Sequence, residues 1–325
     1  MKISWQPIIF FVFVLAFLIT APLVVLHTAG YRYQLHGNKI LKTGVLSISS
    51  FPRGATLLID DHEESMRTPA VIENVLPGIH TISLKKEGYL PWNKSLEVSS
   101  GSTTFAENVV LFFDEPSTFV GSQSVPIEKT EHTLTETLFD NRRVKINPLP
   151  DRTVLAFVDD VGISNIIAYL PAGTYTFQDA PKNVLLLVDR EHARFIVVDP
   201  NDEQPILLNV TGTQFAWNTQ RPELLFSDGF DVQTYNTSSH TKETLTRLSD
   251  PIIDLAWFPR GEVILYATTT HINALELDRR GLQNYFDLAT LDHIDSFTLD
   301  EKGEVLTIIG TRNADTGAFQ KHLQK

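Results

Sequence analysis

Acidic side chains form the densest group in this sequence that could do chemistry, Asp60-Asp61-His62-Glu63-Glu64. Carboxylates this close together could hold a divalent cation through their oxygens. The same composition is ordinary for the exposed tip of a β-hairpin, and we favour that interpretation. A second stretch, Asp199-Pro200-Asn201-Asp202-Glu203, lacks the central glycine and distal glutamate of a calcium-binding loop, so we expect a turn there. The sequence therefore predicts no metal site.

Catalytic motifs are missing from the sequence, which contains no GxxxxGK[ST], GxGxxG, HExxH or GxSxG. His62-Glu63 is followed by Met66 at the position where a second zinc-binding histidine would stand. The chain also has no cysteine, which excludes disulfides, thiolate metal sites, iron–sulfur clusters and a cysteine nucleophile. We predict no catalytic residue, no cofactor and no enzymatic activity.

Aromatic side chains are the remaining candidates for ligand contact. Tyr89 and Trp92 lie beside a Gly/Pro turn, and we name them as the candidate ligand-binding residues, although core packing is the favoured role because aromatics dominate small cores. Trp217 and Trp257 could stack on sugars. They occupy equivalent positions 40 residues apart, which favours packing between repeated units instead.

Length and charge limit the partners. A chain of 325 residues suggests about two domains. Its formal net charge is −12 and we find no basic run along it, which argues against binding to nucleic acid because phosphate contacts need clustered Lys and Arg.

An apolar segment near the start, Ile8–Leu26, contains nineteen residues without a charge, enough to cross the hydrocarbon core of a bilayer. Trp5 on one side, with Tyr31 and Tyr33 on the other, is typical of membrane interfaces. A cleavable signal peptide is the alternative, but the segment is long for one and no good small-x-small cleavage site follows it. We predict an uncleaved single-pass anchor.

The orientation of this anchor is less directly encoded. Lys2 alone precedes the helix, whereas Arg32, Lys39 and Lys42 follow it, and the positive-inside rule taken literally would put the large C-terminal part in the cytoplasm. Long folded domains are translocated largely regardless of their charge, however. We therefore expect the bulk of the chain outside the membrane.

The segment after the anchor alternates apolar and polar residues with period two, which indicates short strands separated by Pro and Gly turns. Its motifs follow one another in the order Gly44-x-Leu46-x-Ile48, Ser50-x-Pro52-x-Gly54-Ala55, Ile59-Asp60, Thr68-Pro69, Leu76-Pro77-Gly78-x-His80 and Lys86-x-Gly88-Tyr89-x-Pro91-Trp92. In this order they resemble the PEGA domain of bacterial and archaeal surface proteins. The name-giving Pro-Glu-Gly-Ala stands here as Pro52-Arg53-Gly54-Ala55, which keeps the Pro and Gly that the turn requires. The resemblance implies a small β-sandwich, a surface context and an adhesive or spacer role, without catalytic residues.

Repeats of about forty residues follow. The two clearest run from Trp217 to Arg221–Phe226 and from Trp257 to Arg260–Tyr266. Further copies are the segments Asp151–Leu155, Pro181–Leu185 and Lys302–Leu306. Strand-rich repeats of this length are typical of β-propeller blades, and the best copy resembles TolB-type and Trp-Asp-repeat blades. Four or five blades can be counted, so an incomplete propeller or a β-sandwich stays open.

The predicted fold class is all-β with one N-terminal transmembrane helix. We assign the anchor to 1–30, a connector to 31–43, a PEGA-like β-sandwich to 44–113, a linker or atypical first blade to 114–142, and a β-propeller-like repeat domain to 143–325. The predicted function is that of a non-catalytic cell-envelope protein that contacts a cell-wall glycan or a surface protein. A propeller-type polysaccharide hydrolase or lyase, or a surface sensor, is the alternative.

Overall fold

A computed structural model describes residues 5–34, 39–121, 134–212, 214–218, 220–260 and 262–324. The described part of the chain contains one helix, α1 (Trp5–Thr28), and otherwise strands and turns. Its segment Ile9–Thr28 is long and apolar enough to cross a membrane and is not buried inside the protein. Because its apolar side chains face outward all round, the helix is compatible with a membrane anchor or a signal sequence.

A short hairpin joins the helix to the first β-domain. Its strands are β1 (Tyr31–Gln34) and β2 (Lys39–Lys42). Thr43 returns to the end of the helix, where its backbone N–H and its Oγ1 donate to the carbonyl of Gly30 at 2.8 and 2.7 Å. The N–H of Gly101 in turn donates to the carbonyl of Thr43 at 3.0 Å. The helix therefore ends directly against the β-domain.

The first β-domain is a sandwich of two sheets, ordered β6-β3-β9 and β5-β4-β7-β8. All neighbours pair antiparallel except β3 and β9, which are parallel. The strands are β3 (Gly44–Phe51), β4 (Thr56–Ile59), β5 (His62–Arg67), β6 (Ala70–Val75), β7 (Gly78–Lys85), β8 (Trp92–Val98) and β9 (Thr103–Val110).

Period-two alternation fills the sandwich core as the sequence predicts. Along β3 buried and part-buried residues alternate, and Leu46 and Ile48 point inward. Leu57 faces them from the other sheet. The turn between β3 and β4 places Gly54 at φ +83°, a conformation that a residue with a Cβ adopts only under strain.

Five four-stranded sheets, here called blades 1 to 5, make up the rest of the chain and give it β-propeller architecture. Blade 1 contains β11 (Glu136–Phe139), β12 (Arg142–Pro148), β13 (Arg152–Val158) and β14 (Ile163–Pro171). Blade 2 contains β15 (Tyr175–Gln178), β16 (Leu185–Asp189), β17 (Arg194–Val198) and β18 (Ile206–Thr211). Blade 3 contains β19 (Gln214–Trp217), β20 (Glu223–Ser227), β21 (Asp231–Asn236) and β22 (Thr241–Arg247). Blade 4 contains β23 (Asp254–Trp257), β24 (Val263–Ala267), β25 (His271–Glu276) and β26 (Tyr285–Thr290). Blade 5 contains β27 (His293–Leu299), β28 (Val305–Arg312), β29 (Asp315–His322) and, from far earlier in the chain, β10 (Thr118–Gly121).

Four of the five repeat segments map onto one structural position, because they lead into the second strand of a blade: β16, β20, β24 and β28. The segment Asp151–Leu155 instead leads into β13, the third strand of blade 1. The segment 114–142 supplies β10 to blade 5 and β11 to blade 1, while its residues 122–133 lie outside the described residues, as does the repeat residue Gly261.

Successive blades pack through apolar faces. Separate core clusters join blade 1 to blade 2, blade 2 to blade 3, and blade 3 to blade 4. A fourth cluster joins blades 4 and 5 to the PEGA-like sandwich. Among the described residues, none of these clusters includes side chains from both blade 5 and blade 1.

The sandwich and the propeller thus share one hydrophobic core. Phe112, which is fully buried, packs its ring 5.4 Å from that of Phe258 and 5.3 Å from that of Phe286. Backbone hydrogen bonding continues across the same seam, because the N–H of Phe113 donates to the carbonyl of Leu323 at 2.8 Å.

A buried ionic network crosses this seam as well. The Nζ of Lys94, whose side chain is fully buried, lies 2.8 Å from Glu276 Oε2 and donates to the carbonyl of Asp278 at 2.6 Å. The indole N–H of Trp92 donates to the other Glu276 oxygen at 3.1 Å, and Asn284 Nδ2 donates to Glu276 Oε2 at 2.7 Å. Every charged group at this seam therefore has a partner of opposite charge or a hydrogen-bond donor.

Candidate binding cleft

A cleft of about 720 Å³ lies where the sandwich meets blades 3, 4 and 5. Its walls are the turn between β19 and β20, the turn between β23 and β24, the turn between β27 and β28, and the end of β9. The first two turns each follow a tryptophan, Trp217 and Trp257, and both tryptophans are partly exposed. The volume is in the range typical of ligand-binding clefts.

The two tryptophans differ in how their indole N–H groups are satisfied. Trp257 Nε1 donates to the carbonyl of Ala216 in the preceding blade at 2.9 Å. The Nε1 of Trp217 is buried and has no hydrogen-bond partner among the described residues. The two rings pack against successive inter-blade cores, as their equivalent positions predict, and their exposed parts line the cleft.

Arg221 is the one cation among the described residues that line the cleft. Its guanidinium lies 5.7 Å from the centroid of the Trp257 ring, and its Nη1 donates to Glu262 Oε1 at 3.2 Å. The side-chain oxygen of Asn218 accepts from the backbone N–H of Arg221 at 3.0 Å and so fixes the turn that carries it. Burial raises the pKa of neighbouring Glu223; the charge of Arg221 opposes this shift and other nearby carboxylates add to it.

Carboxylates outnumber this cation. Glu107 from β9, Glu262 from blade 4 and Glu301 from blade 5 all line the cleft and are exposed or part-exposed. Glu107 accepts a 3.3 Å hydrogen bond from Ser47, whereas Glu301 has no hydrogen-bond or ion-pair partner within the described ranges. The cleft is therefore negative, and its surplus charged groups are carboxylates, which only accept hydrogen bonds.

A smaller cavity of about 310 Å³ adjoins the cleft and shares Glu107 and Glu262 with it. Its deeper wall contains Glu276, Asp278 and Arg280. Burial alone would raise the pKa of Asp278, but hydrogen bonds from Arg280 and the charges of Lys94 and Arg280 hold that pKa below its ordinary value. The acidic character of the cleft thus continues toward the seam.

Neither of the two aromatics that the sequence singles out for ligand contact lines the larger cleft, although Trp92 borders the smaller cavity. Trp92 is 1% exposed and fills the seam, where its indole N–H is bonded to Glu276, so its place is in the core. Tyr89 is half-buried, packs edge-on to Phe113 at 5.1 Å, and lines a shallow depression with Lys86. Ligand contact by Tyr89 stays a prediction.

The acidic stretches have local structural roles. Asp60 and Asp61 take positive φ at the tip of the hairpin between β4 and β5, the exposed tip that the composition predicts. Asp60 accepts from His80 Nδ1 at 2.6 Å and from the N–H of Thr81 at 2.9 Å. Slight burial raises its pKa, but these bonds outweigh burial and lower the pKa overall. In the stretch 199–203, carboxylates accept from backbone N–H groups two residues on, as in an ordinary turn.

The signals that define the cleft are only partly local. The equivalent tryptophans are visible in the sequence repeat, whereas Glu107 comes from the PEGA-like sandwich and Glu301 from the last blade. Sequence reasoning missed both glutamates, because their proximity depends on how the sandwich docks on the propeller. The one local signal concerns Glu301, which lies in a turn after an apolar strand, whereas Glu107 lies within β9.

Comparison with known proteins identifies one domain. The PEGA domain family matches residues 43–109, so this chain contains a PEGA domain where its motifs predict one. No curated protein shows a significant match to the chain. Among solved structures, Hsv2p of Kluyveromyces lactis aligns over 74% of this chain and 67% of its own at 10% identity, with a TM-score of 0.35. A chain of the mitotic checkpoint complex aligns over 78% and 79% at 9% identity, with a TM-score of 0.38. Likeness at this level carries no inference about ligand or partner, whereas a PEGA domain joined to a propeller fits a surface or binding module.

Proposed function

We propose that this PEGA-domain protein is a single-pass protein of the bacterial cell envelope that holds its β-domains outside the membrane and binds a cell-wall or surface component without catalysing a reaction. The observation that carries the proposal is the cleft between sandwich and propeller, lined by two part-exposed tryptophans and several polar side chains. Concave sites of this kind, apolar and aromatic with a few polar groups, are typical of ligand binding.

The arrangement of the domains supports the same proposal. The apolar helix α1 suits a membrane anchor, and Thr43 at the start of the PEGA domain is hydrogen-bonded to Gly30 at the end of the helix. The seam with its shared core and buried ionic network holds the propeller on the PEGA domain. A cleft built from both domains would then stand at a defined position relative to the membrane.

The second candidate, a polysaccharide hydrolase or lyase, finds its best support in the same cleft. Glycoside hydrolysis needs a pair of carboxylates flanking the scissile bond, one of them with a raised pKa. Glu107, Glu262 and Glu301 supply carboxylates from three elements. The raised pKa in this region belongs to Glu223, which does not line the cleft.

Two measurements test the proposal. Protease accessibility of the C-terminal domain in intact cells, with lysed cells as control, should show digestion without lysis; digestion only after lysis, in cells whose envelope admits the protease, would remove an envelope-binding role. The detergent-solubilised full chain should then sediment with isolated envelope material and leave it unhydrolysed. Release of soluble sugar that a Glu262→Gln substitution abolishes would favour the enzyme instead.

A further inference from the structure

We infer that the cleft binds a basic segment of a partner protein, an extended stretch of polypeptide that presents Lys or Arg side chains to Glu107, Glu301 and the tryptophan faces. This inference rests on the proposed function and deepens it by naming the chemistry of the ligand. Three features of the cleft carry it: its charge, its hydrogen-bonding capacity and an internal cation that already shows the mode of contact.

The charge of the cleft favours a cation. Glu107, Glu262 and Glu301 approach from three separate elements, and Arg221 is the one cationic residue on the wall described above. That guanidinium is already engaged by Glu262 and lies near Glu223, with Nε 3.6 Å from its carboxylate. Glu107 and Glu301 remain in excess, and the whole chain carries −12, which steers basic segments toward it.

The hydrogen-bonding groups of the cleft also favour a cationic ligand. Its charged groups that are free of ion pairs are carboxylates, which only accept hydrogen bonds. Two donors are already used, since Trp257 Nε1 binds Ala216 and Arg221 binds Glu262. Amide side chains that can both donate and accept also line the cleft, those of Asn108, Asn218 and Gln220. Ammonium and guanidinium groups only donate, so they match the carboxylates of this wall, whereas an anionic glycan would meet repulsion there.

Arg221 shows how such a ligand would be held. Its guanidinium lies over the ring of Trp257 while its Nη1 reaches a carboxylate, a pairing of aromatic face and acid that attracts cations. Trp217 occupies the equivalent place in blade 3 and also lines the cleft. No ring–cation contact is recorded for Trp217 in the described part of the chain, so its exposed part stays available to a Lys or Arg from the ligand.

The test uses a fluorescently labelled hexa-arginine peptide and the detergent-solubilised full chain, with hexa-glutamate and an N-acetylglucosamine hexamer as comparison probes. Fluorescence anisotropy should show binding of hexa-arginine that weakens as salt is added. Glu107→Gln and Glu301→Gln should each weaken it about two- to fivefold, the effect of one exposed ion pair. Both side chains are exposed, so these variants should fold.

Asp315→Asn is the matched control. Asp315 is exposed at the far end of β28 from Glu301, about 25 Å away along the strand, and its substitution removes the same charge. If Asp315→Asn weakens binding as much as Glu301→Gln, or if neither glutamine variant has an effect, the inference is overturned. Preferential binding of the sugar hexamer, lost in the glutamine variants, would overturn the basic ligand but keep the cleft as the binding site. Failure of all probes, with envelope sedimentation unchanged in both glutamine variants, would remove the cleft from the proposed function as well.

Discussion

Replacing Lys94 with methionine should be among the most destabilising single changes in this protein. The side chain is fully buried at the seam, with Nζ 2.8 Å from Glu276 Oε2 and 3.5 Å from Asp278 Oδ2. Methionine fills similar space but removes the one cation that forms an ion pair with Glu276 among the described residues. A carboxylate that is 11% exposed would then be left without its counter-ion.

The expected cost can be worked out from the partners that remain. Removing one member of a buried ion pair typically costs about 3–5 kcal/mol, because the other charge is left uncompensated. Glu276 would keep its hydrogen bonds from Trp92 and Asn284, and Asp278 would keep Arg280. We therefore expect the lower end, about 3 kcal/mol. Adding Glu276→Gln to Lys94→Met should recover more than about 1 kcal/mol of it, since the amide is neutral and still accepts from Trp92.

Urea unfolding of the detergent-solubilised full chain, followed by tryptophan fluorescence, would measure these changes, because Trp92 belongs to the network. Arg143→Met is the matched control. The guanidinium of Arg143 also lies 2.7 Å from a carboxylate, that of Asp160, but the Asp160 side chain is 99% exposed. We expect a loss of less than about 1 kcal/mol there. A loss for Lys94→Met no larger than that of the control would refute a buried network at the seam.

Three further predictions concern single side chains. Trp217→Phe should leave stability almost unchanged or raise it, because it removes a buried donor that has no partner among the described residues. Trp257→Phe should cost about 1 kcal/mol, because the carbonyl of Ala216 loses its hydrogen bond from the indole. Parallel urea titrations of the two variants would show the difference. Because the pKa of Asp278 is lowered in the folded state, its contribution to stability should be complete above the ordinary carboxylate pKa and be lost as the pH falls through the lowered value; unfolding measured between about pH 6 and pH 2 should show a shallower decline for Asp278→Asn. The pKa of Glu223 is raised in the folded state, so its ionised form destabilises the protein at pH 7 and Glu223→Gln should be stabilising there. This gain should disappear as the pH falls below the ordinary pKa of a glutamate. An equal effect of the substitution at pH 7 and below that pKa would contradict the prediction.

The parts of the fold that could be predicted are those with local causes. Gly54 and Leu76-Pro77-Gly78 punctuate strands whose period-two alternation is visible in the sequence, and the family comparison places a PEGA domain there. The repeats that contain Trp217 and Trp257 predict blades because both copies lead into the second strand of their sheets. In both cases short-range turn chemistry and strand periodicity decide the structure.

The remaining features depend on contacts between distant segments. Lys94 shares the inward face of β8 with Trp92 and Leu96, yet the carboxylate that pairs with it, Glu276, lies 182 residues further on. β10 reads as part of an irregular linker, yet it completes blade 5 by pairing with β29 at the end of the chain. No local pattern records such partners. For the same reason the placement of Glu107 beside blade 4 was out of reach, and with it the acidic wall of the cleft.

The bond of Thr43 to the end of the helix has a mechanical consequence. Hydrogen bonds connect Gly30 at the end of the helix to Thr43 of the PEGA domain, and a shared core and the ion pair of Lys94 connect that domain to blade 4. In the proposed anchored arrangement, a force on a ligand bound in the cleft would be transmitted through these contacts to the membrane helix. The protein would then hold its ligand at a fixed distance from the membrane. A sustained force on the ligand would dissociate it from the cleft before it extended the chain.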